Sequence, residues 1–385
     1  MPFSGKATYT AGATLPEAAE DVSDLVAIAS PHDTPLLDAL GDAARPARST
    51  IHEWVEDELL PNADLINDST YTDPSADTSF VVDHADRFRV GDQVRLDGAA
   101  EVMLVTGVNT GTNTLTVVRG YGGSTAGALT NNGALTIVGN AALEGADADT
   151  ARFTNRLRKT NYTQIFSATV EVSGSELAVR QVGVADELDH QKQNRLRELL
   201  RDLETSVING RAPAATPEGS STVRRTMRGL VGSITTNRFV PNVGGFPADT
   251  ELTEEQLNAA LREMWKVSGS RVDLIVCNGQ EKRWINSFIG AARRFAADTH
   301  TFTNLVAAYE SDYGVCRVVV SRAMPAGAVM LLDSSRVDVL PLAGRHFHYK
   351  ALATTGDREA GQVIGEYTLE VRNETAHGII TGLTG

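Results

Sequence analysis

The sequence predicts an α+β fold with a small all-β unit inserted into one of its loops. Three observations carry this. Apolar residues recur at helical spacing over residues 186–209, short strand-like runs crowd residues 80–139, and helix and strand patterns alternate after residue 250.

Residues 1–48 read as an arm. Thr, Ala and Gly dominate its start, and Val22 to Ile28 offers one or two amphipathic turns. Pro31 and Pro35 then interrupt any helix, because each disfavours helical geometry at the residue before it. Leu36, Leu37 and Leu40 form a short apolar patch ending at Gly41. From Thr50 to Glu58 the chain alternates loosely and carries Glu53, Glu56, Asp57 and Glu58 around Trp54. A matching stretch comes a hundred residues later, from Arg152 to Ala168, with Phe153, Arg156, Arg158 and Lys159 at its start. The two segments suit the legs of a long antiparallel hairpin, in which facing opposite charges contribute roughly 0.2–1 kcal/mol per pair. Two unrelated solvated edges are the plainer alternative.

Between these legs, strand signals at Gln93–Leu96, Val102–Val105, Thr114–Val118 and Leu135–Val138 are separated by turns at Gly91-Asp92, Asp97-Gly98 and Asn109-Thr110-Gly111. This spacing predicts a small antiparallel barrel. Arg119-Gly120-Tyr121-Gly122-Gly123 resembles a phosphate loop only in composition. No helix opening on Lys-Ser/Thr follows it, so a tight β-turn is expected.

The longest helix is expected over 186–209, with Leu188, Leu196, Leu199, Leu200, Leu203 and Val207 on its apolar stripe and Asn209-Gly210 as its stop. Thr253-Glu254-Glu255-Gln256 is a capping box opening a second helix, and Trp284 to Ala292 marks a third. Strands are expected at Val272–Cys277, Val315–Val320, Ala328–Leu332 and Val337–Leu340. Residues 363–372 and 378–383 read as a final strand pair.

Composition limits the function. Net charge is −14, which argues against dedicated duplex recognition, since phosphates call for a basic footprint. The charge is unevenly spread. Residues 1–60 are strongly acidic, whereas residues 151–159 carry four cations and no acid. No apolar run reaches the roughly 18 residues of a membrane span. Cys277 and Cys316 lie in strand-like runs and read as buried thiols. His346 and His348 lack a third ligand by spacing and read as a structural pair. No nucleophile elbow, P-loop or dinucleotide fingerprint is present, so no catalytic, cofactor or metal residue is nominated and no cofactor is expected.

The order of parts, from arm through hairpin, long helix and α/β domain to return strands, resembles the major capsid protein of tailed bacteriophages, the Hong Kong 97-like fold. Local runs strengthen the resemblance. They are Asp33-Thr34-Pro35-Leu36-Leu37 followed by His52-Glu53-Trp54, Asn161-Tyr162-Thr163-Gln164-Ile165, Val172-Ser173-Gly174 and Arg201-Asp202-Leu203-Glu204. The last is Gly365-Glu366-Tyr367-Thr368-Leu369-Glu370-Val371-Arg372-Asn373 with Ala376-His377-Gly378.

The resemblance implies an N-terminal arm (1–48) and an E-loop hairpin (49–79 and 140–175); the β-unit (80–139) departs from the family's pattern and is expected as an inserted β-domain at the hairpin tip. The resemblance further implies a peripheral domain with the spine helix (176–228 and 341–385) and an axial domain (229–340). It implies self-assembly into pentamers and hexamers of an icosahedral shell around double-stranded DNA, contacted non-specifically. The expected place is the virion, after assembly in a host cytoplasm. Portal, decoration and separate scaffolding proteins are the further partners, and no membrane is involved. With only six Lys and no local match to a crosslinking site, an isopeptide bond is not expected. Expected intersubunit contacts are Glu53, Trp54, Glu56, Asp57, Glu58, Arg152, Phe153, Arg156, Arg158 and Lys159. An encapsulin-like compartment shell, a glycan-binding surface protein and a generic α/β enzyme are the rival readings.

Overall fold

The computed structural model describes residues 34–145, 147, 152–154, 156–178, 186–269, 271–288, 308–353 and 356–384. Residues 1–33 of the arm expected over 1–48, and the helix end expected at Ala292, lie outside them. The chain divides into two compact units, one of Met1–Trp54 with Arg158–Gly385 and the other of Val55–Leu157.

Among the described residues of the first unit the helices are α1 (Pro35–Leu40), α2 (Gly174–Ala178), α3 (Glu187–Asn209), α4 (Leu230–Ser233), α5 (Glu254–Ser268) and α6 (Gly279–Phe288). Spine helix α3, about 35 Å long at 1.5 Å per residue, opens on Asp186, whose side chain accepts the amide of Asp189, and stops at Gly210. It buries Leu199, Leu203, Val207 and Ile208, together with one carboxylate, Glu204. Glu204 accepts the backbone amides of Leu36 at 3.0 Å and Leu37 at 3.4 Å, and the Ser321 hydroxyl donates to it as well. Burial raises its pKa despite those bonds. The tether seats Leu36, itself fully buried, against the spine.

Two larger sheets lie among the described residues of this unit. In the four-stranded sheet, β17 (Arg358–Val371) pairs with β9 (Gln164–Ser173), and also with β15 (Val337–Pro341) and β16 (His348–Ala351), all antiparallel. The six-stranded sheet runs β10 (Arg238–Phe239), β18 (Gly378–Thr381), β14 (Ala328–Leu332), β11 (Leu274–Cys277), β13 (Gly314–Val320), β12 (Ala308–Ser311). Its central strands are apolar on both faces because both are covered. Leu274, Val276, Met330, Leu332 and Ile379 face a core shared with α3 and the four-stranded sheet. Ile275, Cys277, Val329, Leu331 and Ile380 face a second core built on α5. Helix α5 has the expected capping box, with Thr253 and Gln256 bonded reciprocally, and ends at a left-handed Gly269. Cys277 and Cys316 are buried free thiols, pushed up to about 12 and about 11 by desolvation.

The second unit is a closed antiparallel barrel. Its strands run β2 (Ala63–Leu65), β7 (Ala134–Asn140), β4 (Asp92–Leu96), β5 (Val102–Asn109), β6 (Thr114–Val118), β3 (Ser79–Val81). The ring closes where Ile66 bridges Val82, with Asn67 N donating to Val81 O at 2.9 Å and Asp83 N to Leu65 O at 3.0 Å. Phe80, Val94, Met103, Val105, Leu115, Val117 and Leu135 fill the interior, as alternation along each strand requires. The glycine run after Arg119 forms the expected tight turn at Tyr121–Gly123, closed by Ser124 N donating to Tyr121 O at 3.3 Å, with Gly120 and Gly122 at φ 63 and 67. Arg119 itself is held inside by a bidentate pair with fully buried Glu101 at 2.7 and 2.8 Å. The guanidinium also bonds the carbonyls of Asp77 and Gly127, and Gly120 and Gly127 return their amides to Glu101. One ion pair therefore ties together three loops that share no strand.

Three expectations change. The return leg is not one strand, because β8 (Leu157–Tyr162) pairs with β1 (Ile51–Glu56), whereas β9 leaves to join β17. The break falls at buried Thr163, whose hydroxyl is drawn to Glu366 at 2.6 Å. β17 and β18 are not a pair either. Asn373, left-handed at φ 49, and the turn Glu374–Ala376 carry the chain into the other sheet. Finally β2, three residues long and too short to show a pattern, extends the barrel beyond the span its alternation marks.

Candidate functional site at the root of the hairpin

Strand β17 carries Glu366, Thr368 and Glu370 on alternate positions, all three at 2 % exposure or less, beside buried Leu369 and Val371. Buried carboxylates need partners, and here they come from several distant segments. Glu370 accepts from Arg45 Nη2 at 2.9 and 3.0 Å, lies 2.5 Å from His52 Nε2 and has Arg372 Nε at 3.6 Å. Burial pushes its pKa upward, but the His52 hydrogen bond and the surrounding charges outweigh burial and hold the carboxyl below its usual range. Glu366 accepts from Thr163 and from Arg225 Nη2 at 2.5 Å, with Arg345 Nε at 2.8 Å.

Asn161 completes the set. Its amide nitrogen donates to Leu369 O at 2.7 Å and Arg228 O at 2.9 Å, while its oxygen accepts from Arg228 N at 2.8 Å. Thr368 donates to Tyr162 O at 3.0 Å. The base of both ribbon strands is therefore bonded to β17: β1 through His52, and β8 through Asn161 and Tyr162.

The nominated contact residues fall in two places. On the ribbon, Arg158 Nη1 lies 3.5 Å from Glu53, and both are largely exposed. Trp54 is half-buried with its ring 5.8 Å from that of His52, Glu56 is half-buried, and Lys159 is exposed. In the barrel unit, Arg156 Nε lies 3.8 Å from Asp57, Glu58 is exposed, and Arg152 donates to Arg87 O at 3.0 Å. Asp57, Leu59, Leu60, Arg152, Phe153 and Arg156 line an open groove of about 780 Å³, in which Leu59 is 87 % and Phe153 80 % exposed. The structure thus forms two of the expected charge pairs, both long and solvated, and such pairs contribute little singly.

The β17 network was missed because charge was sought on exposed segments. Its sequence signal is acidic residues at alternate positions in an otherwise apolar strand. His346 and His348 are both exposed, and His348 Nδ1 lies 2.7 Å from the His346 carbonyl oxygen. Among the described residues, Asp64, Asp83 and His84 are the group spaced for a metal ion, but Asp64 already holds Arg87 at 2.9 Å and the His84 amide at 2.7 Å. No helix among the described residues is long and apolar enough to cross a membrane.

The runs that converge here, His52-Glu53-Trp54, Asn161-Tyr162-Thr163 and Glu366 to Arg372, are among those that carry the capsid resemblance. The profile of the SU10 major capsid protein family matches residues 4–384. The chain belongs to that family. Among solved structures, the capsid of a native GTA particle is 11 % identical over 96 % of each chain, with a TM-score of 0.52. Microbacterium phage Oxtober96 is 15 % identical over 94 % of this chain and 95 % of that one, with a TM-score of 0.50. The holo-SrpI encapsulin from Synechococcus elongatus covers 60 % of this chain and 78 % of its own, at 12 % identity and a TM-score of 0.43. Among curated proteins, none matches. The capsid protein has the Hong Kong 97-like fold of phage shells, it is a structural subunit that assembles with copies of itself, and its place is the virion.

Proposed function

We propose that the capsid protein forms the pentamers and hexamers of an icosahedral shell that encloses double-stranded DNA, assembled in the host cytoplasm and without catalysis. In this reading residues 34–48 are the described end of the arm, and the β1/β8 ribbon is the stem of the E-loop. The four-stranded sheet with α3 is the peripheral domain, the six-stranded sheet with α5 and α6 is the axial domain, and the barrel is an E-loop insertion. A net charge of −14 lets a genome pack without adhering. Portal, decoration and separate scaffolding proteins are the further partners.

The observation that carries the contact assignment is the contrast between two surfaces. The ribbon base is bonded into β17 by buried groups, whereas Leu59 and Phe153 stand almost bare beside Arg152 and Arg156. A bare aromatic in a charged groove is the composition of an interface core awaiting its partner. A neighbouring copy is the partner, and the ribbon charges Glu53, Arg158 and Lys159 set its register.

Negative-stain microscopy and sedimentation of purified Phe153→Ala and Arg156→Glu/Arg158→Glu proteins test this. Folded subunits with shell yield reduced at least tenfold are expected. Unchanged yield and shell stability in both variants refute the contact assignment.

A further inference from the structure

Among the described residues, three segments carry the chain between the six-stranded sheet and the rest of its unit, and all three meet at one point. Residues 234–237 lead from α4, which packs on α3, into β10. Residues 333–336 lead out from β14 to β15, and residues 372–377 lead back from β17 to β18. Side chains cross-bond the three. Glu374 accepts the amide of Thr235 at 2.9 Å and of Thr236 at 3.3 Å, and both threonine hydroxyls donate to it. Asn237 donates to the carbonyls of Thr375 at 2.6 Å and His377 at 3.0 Å, and Ile379 N returns to Asn237 O at 2.9 Å. Arg336 bonds Asp333 at 3.0 Å and Asn373 at 3.0 Å. Between the outgoing and returning segments stands His377, fully buried, whose Nδ1 accepts the backbone amide of Asp333 at 3.3 Å.

We propose that this cluster is a hinge lock between the two sheets, held shut by neutral His377 and opened when that imidazole is protonated. The Asp333 amide requires Nδ1 to be the unprotonated nitrogen, so a second proton replaces an acceptor with a donor aimed at a donor. Nothing nearby compensates fully. Desolvation lowers the pKa of His377 from 6.5 to about 4, with Asp333, a backbone hydrogen bond to Arg372 and Glu374 opposing the fall and Arg336 assisting it. Helix α5 brings apolar Met264 to Gly378 beside the cluster and adds no charge to those acting on the ring. Because the locked pKa is depressed, opening becomes easier as pH falls below 6.5 and levels off once pH passes about 4. The linkers between the sheets then lose their buried His377 bond, while the Asn237 and Glu374 bonds and the core shared by the two sheets remain. The lock acts within the subunit itself and does not depend on the proposed contact groove.

Hydrogen exchange by mass spectrometry on the full-length protein tests it, with rates corrected for intrinsic chemistry at each pH. Peptides covering residues 333–338 and 373–379 are expected to gain exchange by up to about tenfold per pH unit between about 6.5 and 4. The buried strand Leu274–Cys277 stays protected over the same range. His377→Asn, which retains an acceptor but cannot titrate, is expected to remove that slope. A flat wild-type profile overturns the proposal. So does an equal slope in His377→Asn, or simultaneous opening of Leu274–Cys277.

Discussion

Replacing Glu370 by Gln removes the charge at the centre of the ribbon root while keeping its shape. The His52 bond, between a buried carboxylate and a ring whose side chain is 13 % exposed, counts nearly in full at about 1.5–3 kcal/mol. The Arg45 pair counts for much less, because the Arg45 side chain is 63 % exposed and turns into water when its partner is lost. Arg372, 3.6 Å away and bonded to Asp338, adds little. The expected loss is about 3 kcal/mol, which corresponds to a fall of roughly 5–10 °C in the midpoint of the dissociated subunit. The pH dependence has a definite sign. The folded pKa of Glu370 is depressed, so its contribution is fully present above the unfolded carboxylate pKa and disappears as pH falls through the folded one. Scanning fluorimetry of wild type and Glu370→Gln at pH 7 and about pH 3 checks both parts. The gap should be wide at neutral pH and narrow in acid. A shift under about 1 °C at pH 7, or a gap unchanged in acid, refutes the reasoning.

Other substitutions probe the rest of the subunit. Arg119→Leu leaves Glu101 charged and fully buried without a cation, so barrel peptides should lose exchange protection by about 3–5 kcal/mol while α5 peptides do not. Gly365→Ala, on β17, places a methyl against the ring of Phe347, and overpacking of this kind should cost about 1–3 kcal/mol by urea denaturation.

Much of the architecture was legible in the chain alone. The stripe from Leu188 to Val207, the capping box at Thr253 and Gln256 and the alternation of the barrel strands are local patterns, governed by propensities that act over a few residues. The capsid resemblance was legible too, through short runs scattered from Asp33 to Gly378. What those runs do was not. His52, Asn161 and Glu370 are separated by up to 318 residues, and no periodicity links them. Buried polar partners are chosen by whichever segments the sheets bring together, since a carboxylate taken out of water binds the nearest available donor. The same reason explains the misread strand pairs. Thr163 diverts the return leg toward Glu366, and Asn373 turns β17 away from β18. Sequence thus determined the longer elements and the family to which the chain belongs. Tertiary structure alone decided that the hairpin is anchored at its base by Glu366 and Glu370, because burial makes a bond between distant residues obligatory.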